Sequence, residues 1–277
     1  MRSVKLLIAA AAASLVSTAA FAADMPSIAP PPYAAPQPVD FGGWYLRGDI
    51  GMTNTDAKLH VNGYDTLPAG TVFNQYGHGF DSGMLFGAGV GYQFNSWFRA
   101  DVTGEYRSKV GFNGTDFFMF NPGGGLADTY HGGYQSWVGL VNAYVDLGTW
   151  WCLTPFIGAG AGAATIKTSA FTDNATFPSF DGRTSAFVAD GATKTNFAWA
   201  AHAGVAYRVT NNFTVELAYR YLDMGTAVHG AGHFFDGTNI SQSSFQFRDI
   251  TSQDLKLGVR WTCCDVPPPP PPLIRKG

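Results

Sequence analysis

The feature that most narrows what this chain can fold into is the rhythm of its connections. Eight segments alternate apolar and polar residues, approximately 43–53, 83–94, 96–107, 133–148, 153–166, 196–209, 212–222 and 251–262. The links after the second, fourth and sixth are tiny: around Asn95, around Gly148-Thr149-Trp150-Trp151, and Thr210-Asn211-Asn212. The links after the first, third, fifth and seventh run to about 25 to 30 residues each and are rich in Gly, Asn, Asp, Thr and Phe. A soluble sandwich has no reason to gather its tight turns at one end. A membrane barrel does, because its short turns and its long loops face different compartments. Each segment is also near the 9–11 residues that a tilted strand needs to cross lipid.

Composition agrees. Charged residues make up 13% of the chain, aromatics 15%, and there are 34 glycines. Charged residues in a soluble domain usually reach about 25%. Mean hydropathy is nevertheless near zero, far below that of a helical membrane protein, so the pattern is one of strands with one greasy and one polar face. A formal charge of −3 is too small to suggest nucleic acid or an acidic substrate.

Residues 1–22 read as an export signal. Arg2 and Lys5 precede an apolar run from Leu6 to Val16, and Ala20-Phe21-Ala22 is a small-x-small cleavage site. Cleavage after Ala22 leaves a chain that begins Ala23-Asp24-Met25-Pro26. No cysteine follows the site, which excludes the lipoprotein route, and no later run of 18 apolar residues predicts a membrane helix. Residues 23–40 hold Pro26, Pro30, Pro31, Pro32, Pro36 and Pro38 and predict an extended linker of roughly 50–55 Å at ~3.1 Å per residue. Residues 41–262 are the strand-bearing domain. A second proline-rich tail, with Pro267 to Pro272 in succession, occupies 263–277.

Period-two reading assigns the faces. In the third segment Phe98, Ala100, Val102, Gly104 and Tyr106 oppose Arg99, Asp101, Thr103, Glu105 and Arg107. In the seventh, Phe213, Val215, Leu217, Tyr219 and Tyr221 oppose Thr214, Glu216, Ala218 and Arg220. In the eighth, Leu255, Leu257, Val259 and Trp261 oppose Asp254, Lys256, Gly258 and Arg260. The first sets Trp44, Leu46, Ile50 and Met52 against Arg47 and Asp49; the sixth sets Phe197, Trp199, Ala201, Ala203, Val205 and Tyr207 against His202 and Arg208. Segment five is too rich in small residues to assign. Lipid offers no hydrogen bonds to a free strand edge, so such a sheet must close. The predicted fold is all-β: an eight-stranded antiparallel up-and-down transmembrane barrel with short periplasmic turns and long extracellular loops. Trp44, Tyr92, Phe94, Trp97, Tyr144, Trp150, Trp151, Tyr207, Phe213 and Trp261 are expected in the periplasmic-side aromatic girdle.

The lumen is then predicted to hold Arg47, Arg99, Arg107, Arg208, Arg220, Lys256 and Arg260 together with Asp49, Asp101, Glu105, Asp146, Glu216 and Asp254. Near-balance is expected, because an unpaired charge in a confined lumen is costly. An eight-stranded barrel is only wide enough for its own side chains, so the interior should be plugged by ion pairs and bound water, with at most a narrow or gated ion path. The charges spread over most strands and single out no catalytic pair, and no Ser/His/Asp or Cys/His arrangement stands out, so an enzyme is not expected. Five histidines (His60, His78, His131, His229, His233) fall in the predicted loops, where His229 and His233 are candidates for heme or metal binding. Gly87-Ala88-Gly89-Val90-Gly91 and Gly158–Gly162 imitate nucleotide-binding loops but precede no helix, and close strand packing explains them better. Cys152, Cys263 and Cys264 form neither a zinc pattern nor a disulfide framework, and unpaired or incidentally paired thiols are expected, with a vicinal bridge and a bridge to Cys152 left open. No cofactor is expected.

With the strands laid out, the chain resembles the small outer-membrane barrel proteins of alphaproteobacteria, porin-like surface antigens of the OmpA/OmpX-like fold. The likeness is carried by residues 41–51 (Phe-Gly-Gly-Trp-Tyr-Leu-Arg-Gly-Asp-Ile-Gly), Gly87–Tyr92, Thr154–Gly160 and Glu216–Tyr221. The resemblance implies an abundant protein that supports outer-membrane integrity, with narrow porin, adhesin or heme-binder roles as alternatives. Related mature chains begin Ala-Asp or Ala-Glu before a proline stretch and are joined there to peptidoglycan, so Ala23 and Asp24 are the implied attachment residues. The implied partners are outer-membrane lipid and lipopolysaccharide, the outer-membrane assembly machinery and peptidoglycan, with no nucleic acid. One departure is that Trp261, expected as a terminal assembly signal, is followed by sixteen residues; either recognition is internal or the tail makes its own contact.

Overall fold

The structure is a computed structural model that describes residues 42–61, 70–120, 123–177, 183–240 and 245–263. The expected signal, the proline linker with Ala23 and Asp24, and the tail from Cys264 onward lie outside the described residues.

Twelve strands and no helix are found among the described residues: β1 Gly43–Val61, β2 Val72–Phe80, β3 Gly83–Gln93, β4 Phe98–Met119, β5 Gly125–Asp146, β6 Leu153–Thr168, β7 Phe171–Phe177, β8 Arg183–Gly191, β9 Thr193–Arg208, β10 Phe213–Phe234, β11 Asn239–Ile240 and β12 Phe245–Thr262. Eight form a closed antiparallel ring. β1 pairs β3, β3 pairs β4, β4 pairs β5 and β5 pairs β6. β6 then pairs β9, β9 pairs β10, β10 pairs β12, and β12 returns to β1. Leu46↔Trp261 and Leu46↔Val90 fix the register on both sides of β1. The chain is the eight-stranded antiparallel barrel that the alternation predicts.

The outer surface carries the apolar faces. Leu46, Ile50, Val102, Val141, Leu217, Leu255 and Leu257 are all about half exposed, the signature of side chains whose solvent is lipid. The membrane-spanning segments so defined are about 44–53, 84–93, 98–107, 136–146, 153–165, 195–207, 213–222 and 253–262. Trp44, Phe94, Trp97, Trp150, Tyr207 and Trp261 are exposed at the short-turn end, as the girdle requires. Tyr144 is not among them. It is buried in the lumen, because the alternation on β5 sends the even-numbered Asn142, Tyr144 and Asp146 inward.

Segment five also becomes legible. On β6 Phe156, Ala164 and Ile166 point inward, whereas Ile157, Ala159, Ala161 and Ala163 are on the outer face. The glycines between make room: a Cβ on Gly204 would meet the Phe156 ring at 2.6 Å and one on Gly158 the Ala143 carbonyl at 2.8 Å. The glycine runs are packing positions, not loops that hold a nucleotide.

The long connections are not loops throughout. β4, β5 and β10 each continue for 22 residues. At ~3.4 Å per residue and a tilt near 45°, that is about 50 Å along the barrel axis, twice the ~25 Å apolar band of such barrels. Above the lipid, β6 and β9 stop and the β7–β8 hairpin takes their place between β5 and β10. β2 extends the wall beside β4. The change of level is marked by bulges at Asp56/Lys58 on β1, Arg107/Val110 on β4 and Asp223/Gly225 on β10. Gly225 takes φ +77° there, a left-handed conformation that suits glycine, and its amide donates to Asp223 Oδ1 at 2.9 Å.

Candidate functional site: the ion-paired lumen and the chamber above it

The inward face holds three tiers. Nearest the short turns is a network of charges. Arg47 clasps Asp49 through Nη2 at 2.8 Å and Nε at 3.1 Å, and reaches Asp101 and the Tyr144 hydroxyl through Nη1 at 2.8 and 3.0 Å. Arg99 lies between the Tyr144 and Phe156 rings, 4.4 and 4.7 Å from their centroids, and donates to Asp146 at 3.2 Å. Its Nη1 is 3.1 Å from Glu216 Oε1, though the two are not aligned as a hydrogen bond. Asp254 receives both Nη atoms of Arg107 at 2.9 Å, and Nε and Nη2 of Arg220 at 2.9 and 2.6 Å. Arg107 also donates to Thr53. Glu105 joins Arg107, Arg220 and Lys256 at 3.0, 2.6 and 3.3 Å. Lys256 also faces Asp49 at 3.5 Å, and Arg260 faces Glu216 at 3.5 Å.

Every residue predicted for the lumen network is brought together except Arg208. It is on the inward register, opposite Thr214, but at the periplasmic rim, where it is exposed and has no ion pair among the described residues. Alternation reports which side a residue takes, not how far along the strand the lumen ends. His202, by contrast, is buried in the network, with Nε2 3.2 Å from Asn142 Oδ1.

The expectation of a charged bore fails above this tier. Val138, Leu140, Ala198, Ala200 and Leu222 line the wall beside the upper ion pairs, Val138 directly opposite Glu105, and Phe112, Phe171, Phe245 and Phe247 close the space above them. Phe171 and Phe245 are 4.6 Å apart, Phe112 and Phe247 4.9 Å. The apolar inward residues were hidden because both faces of the strands are greasy at that level.

The third tier was missed by reading the upper strands as loops. On β4 and β5 Asp116 is directly opposite Asp128, and on β7 Asp173 is opposite Tyr130. His78 Nε2 is 2.6 Å from Asp116 Oδ1, and the Tyr130 hydroxyl donates to Asp128 Oδ2 at 3.3 Å. One oxygen of each of the three carboxylates is buried without a hydrogen-bond partner. Burial therefore raises all three acids, Asp128 to about 6 and Asp173 to about 7, with the charge of Asp128 adding to the rise at Asp173. The bulge between Arg107 and Val110 hid it: Val110, Phe112, Gly114, Asp116 and Phe118 resume the period of two on the even residues, opposite in parity to Arg107.

The histidines proposed for heme or metal do not converge. His229 is buried against Phe171 and Phe247, and burial lowers its pKa to about 4. His233 is exposed, and its bonds to Asn239 and Asp190 raise its pKa. Among the described residues no cluster of three or more His, Cys, Asp or Glu is arranged to hold a metal ion. Among the described residues Cys152 and Cys263 are unpaired; Cys264 lies outside them.

A closed ring of eight strands, greasy outside and ion-paired within, defines a transmembrane β-barrel of the outer-membrane kind. Residues 8–261 match the family model described as the outer membrane protein beta-barrel domain, and the chain belongs to that family. An uncharacterized protein of Brucella suis is 34% identical over 223 residues, 74% of this chain and 76% of its own length. The outer membrane protein PagN of Salmonella typhimurium is 31% identical over 215 residues, 73% of this chain and 78% of its own. A Rickettsia felis protein described as an adhesin is 26% identical over 92% of this chain and 97% of its own. Among solved structures, OprG of Pseudomonas aeruginosa aligns at 14% identity over 80% of this chain and 97% of that chain, with a TM-score of 0.45.

Proposed function

We propose that this outer-membrane barrel is a structural, non-catalytic element of the envelope, with a lumen that is a plug rather than a passage. The observation that carries this is the stacking of two unlike seals in one bore. An ion needs a continuous polar path, and the phenylalanine tier above the salt bridges interrupts it. A solute that could pass the aromatic tier would still meet Arg99 and Arg220, both nearly fully buried and held by carboxylates. In planar bilayers the full chain is expected to show no large stable conductance; sustained open-channel steps would reject the plug and favour the narrow-porin alternative.

The same reading includes a tether to peptidoglycan through Ala23, supported by the Ala23-Asp24 start and the proline stretch behind it. Mass spectrometry of muramidase-released peptides should find muropeptide linked to Ala23, and only the free amine if the tether is wrong.

A second reading, adhesion, is favoured by the outer face of the extracellular strands. Tyr76, Phe117 and Met119 are exposed around a depression of about 340 Å³ on β2, β4 and β5, well beyond the lipid band. Deleting the tip of the β4–β5 hairpin with the barrel intact should abolish host-cell attachment if this surface is adhesive.

A further inference from the structure

We infer that the outer wall carries a binding site for the phosphorylated headgroup of an outer-leaflet glycolipid, centred on Lys109 of β4 and Lys167 of β6. The two lysines line a depression of about 220 Å³, with Gln135 of β5 between them and Ser169 at its edge. Gln135 is directly opposite Lys167 in the β5–β6 ladder.

Height on the barrel decides the ligand. Two residues below Gln135 on the same outward face is Trp137, whose ring meets Tyr106 of β4 at 4.9 Å. Such aromatic pairs mark the lipid–water interface. Two residues of strand are about 7 Å, so the lysine ammonium groups stand just outside that line, where headgroup phosphates lie. The column below Lys167 on β6 is Ala159, Ala161, Ala163 and Thr165. Trp137 rises on one side of it, opposite Thr165, and Trp199 on the other, opposite Ala161. An acyl chain can lie along this low track between the two indoles while its headgroup reaches Lys167.

Charge points the same way. Lys109 and Lys167 are exposed, and neither has an ion-pair partner among the described residues. The exposed lysine at the same level across the barrel, Lys58, is neutralised by Asp249 at 2.9 Å. The Ser169 hydroxyl is already donated to the Gly133 carbonyl at 3.1 Å, so the donors left for a ligand are the two ammonium groups and the Gln135 amide. Two cations and a neutral donor over a shallow concavity suit a doubly charged phosphate monoester. The site depends on the outer-membrane placement of the barrel and not on its being plugged or tethered.

The test is native mass spectrometry of the full-length barrel in detergent with three probes: bisphosphorylated lipid A, the same lipid dephosphorylated, and inorganic phosphate. Wild-type protein should retain the bisphosphorylated lipid alone. K109Q/K167Q should weaken that binding about 30-fold, near 2 kcal/mol at 1.4 kcal/mol per decade, taking about 1 kcal/mol per lysine at a charged membrane surface. K58Q should leave it unchanged. Both lysines are exposed, so the variants should keep heat-modifiable migration, and the dephosphorylated lipid tests the charge requirement without any mutation. Equal binding of the two lipids by wild type, or undiminished binding by K109Q/K167Q, would overturn the site; binding of inorganic phosphate alone would overturn the lipid as its occupant.

Discussion

Asp254 is the residue whose loss should be felt most. It has no exposed surface and accepts four hydrogen bonds of 2.6–2.9 Å from the Arg107 and Arg220 guanidinium groups. Asp254→Asn keeps the shape but removes the charge and turns a donating NH2 toward two donors. Breaking one side of a buried ionic cluster costs about 3–5 kcal/mol. Glu105 still receives both arginines, at 3.0 and 2.6 Å, so the low end, about 3 kcal/mol, is expected. With m near 3 kcal/mol/M in urea, the unfolding midpoint should fall by about 1 M. Unfolding in detergent micelles, followed by loss of the fast-migrating folded form on unheated gels, reads this directly. The triple change Arg107→Met, Arg220→Met, Asp254→Leu removes the three together and leaves Glu105 with Lys256 at 3.3 Å; it should recover at least half the loss, because packed apolar groups replace such clusters at little net cost. A midpoint for Asp254→Asn within about 0.2 M of wild type would refute the view that the lumen network holds the barrel together.

The acids of the extracellular chamber predict a pH effect of definite sign. Asp128 and Asp173 have folded pKa values of about 6 and 7, above the ordinary carboxylate range, so the folded state binds protons that the unfolded chain releases. Their contribution is complete at low pH and is lost as pH rises through about 6 to 7. Between pH 5 and 7.5, amide exchange in residues 125–132 should therefore quicken beyond its intrinsic pH dependence, and Asp128→Asn with Asp173→Asn should abolish the excess. His229 acts oppositely: kept neutral with a pKa of about 4, its contribution is lost as pH falls from 6.5 toward 4, and His229→Phe should blunt that acid sensitivity in the same exchange measurement. Gly258→Ala would set a methyl 2.6 Å from Asp49 Oδ1, a carboxylate already held by Arg47, and should destabilise by about 1–3 kcal/mol in the urea assay. Arg208→Gln, at the exposed rim, should fall within about 0.5 kcal/mol of wild type, whereas Arg99→Gln strips Asp146 and Glu216 of a shared partner and should cost several times more.

Period-two alternation and the long–short rhythm of the links determined the barrel, its strand number, its orientation and most of the lumen charges. These are local properties, written into each strand by whichever solvent its two faces meet. Arg47, Asp101 and Asp254 could be read as inward because lipid excludes them from the other face. Their partners could not be read, because Arg47 meets Asp101 across 54 positions of chain and Arg107 meets Asp254 across 147, distances set only when the ring closes in one register. The apolar tier escaped for a related reason: at Leu140, Ala198 and Leu222 lumen and lipid ask for the same kind of side chain, and alternation loses its contrast. The acidic chamber and the β7–β8 staves were hidden because glycine-, asparagine- and aspartate-rich sequence signals loop whenever no partner strand is in view. Pairing with the long neighbours β5 and β10 satisfies that backbone and draws it into the wall, and this is a decision only tertiary structure makes.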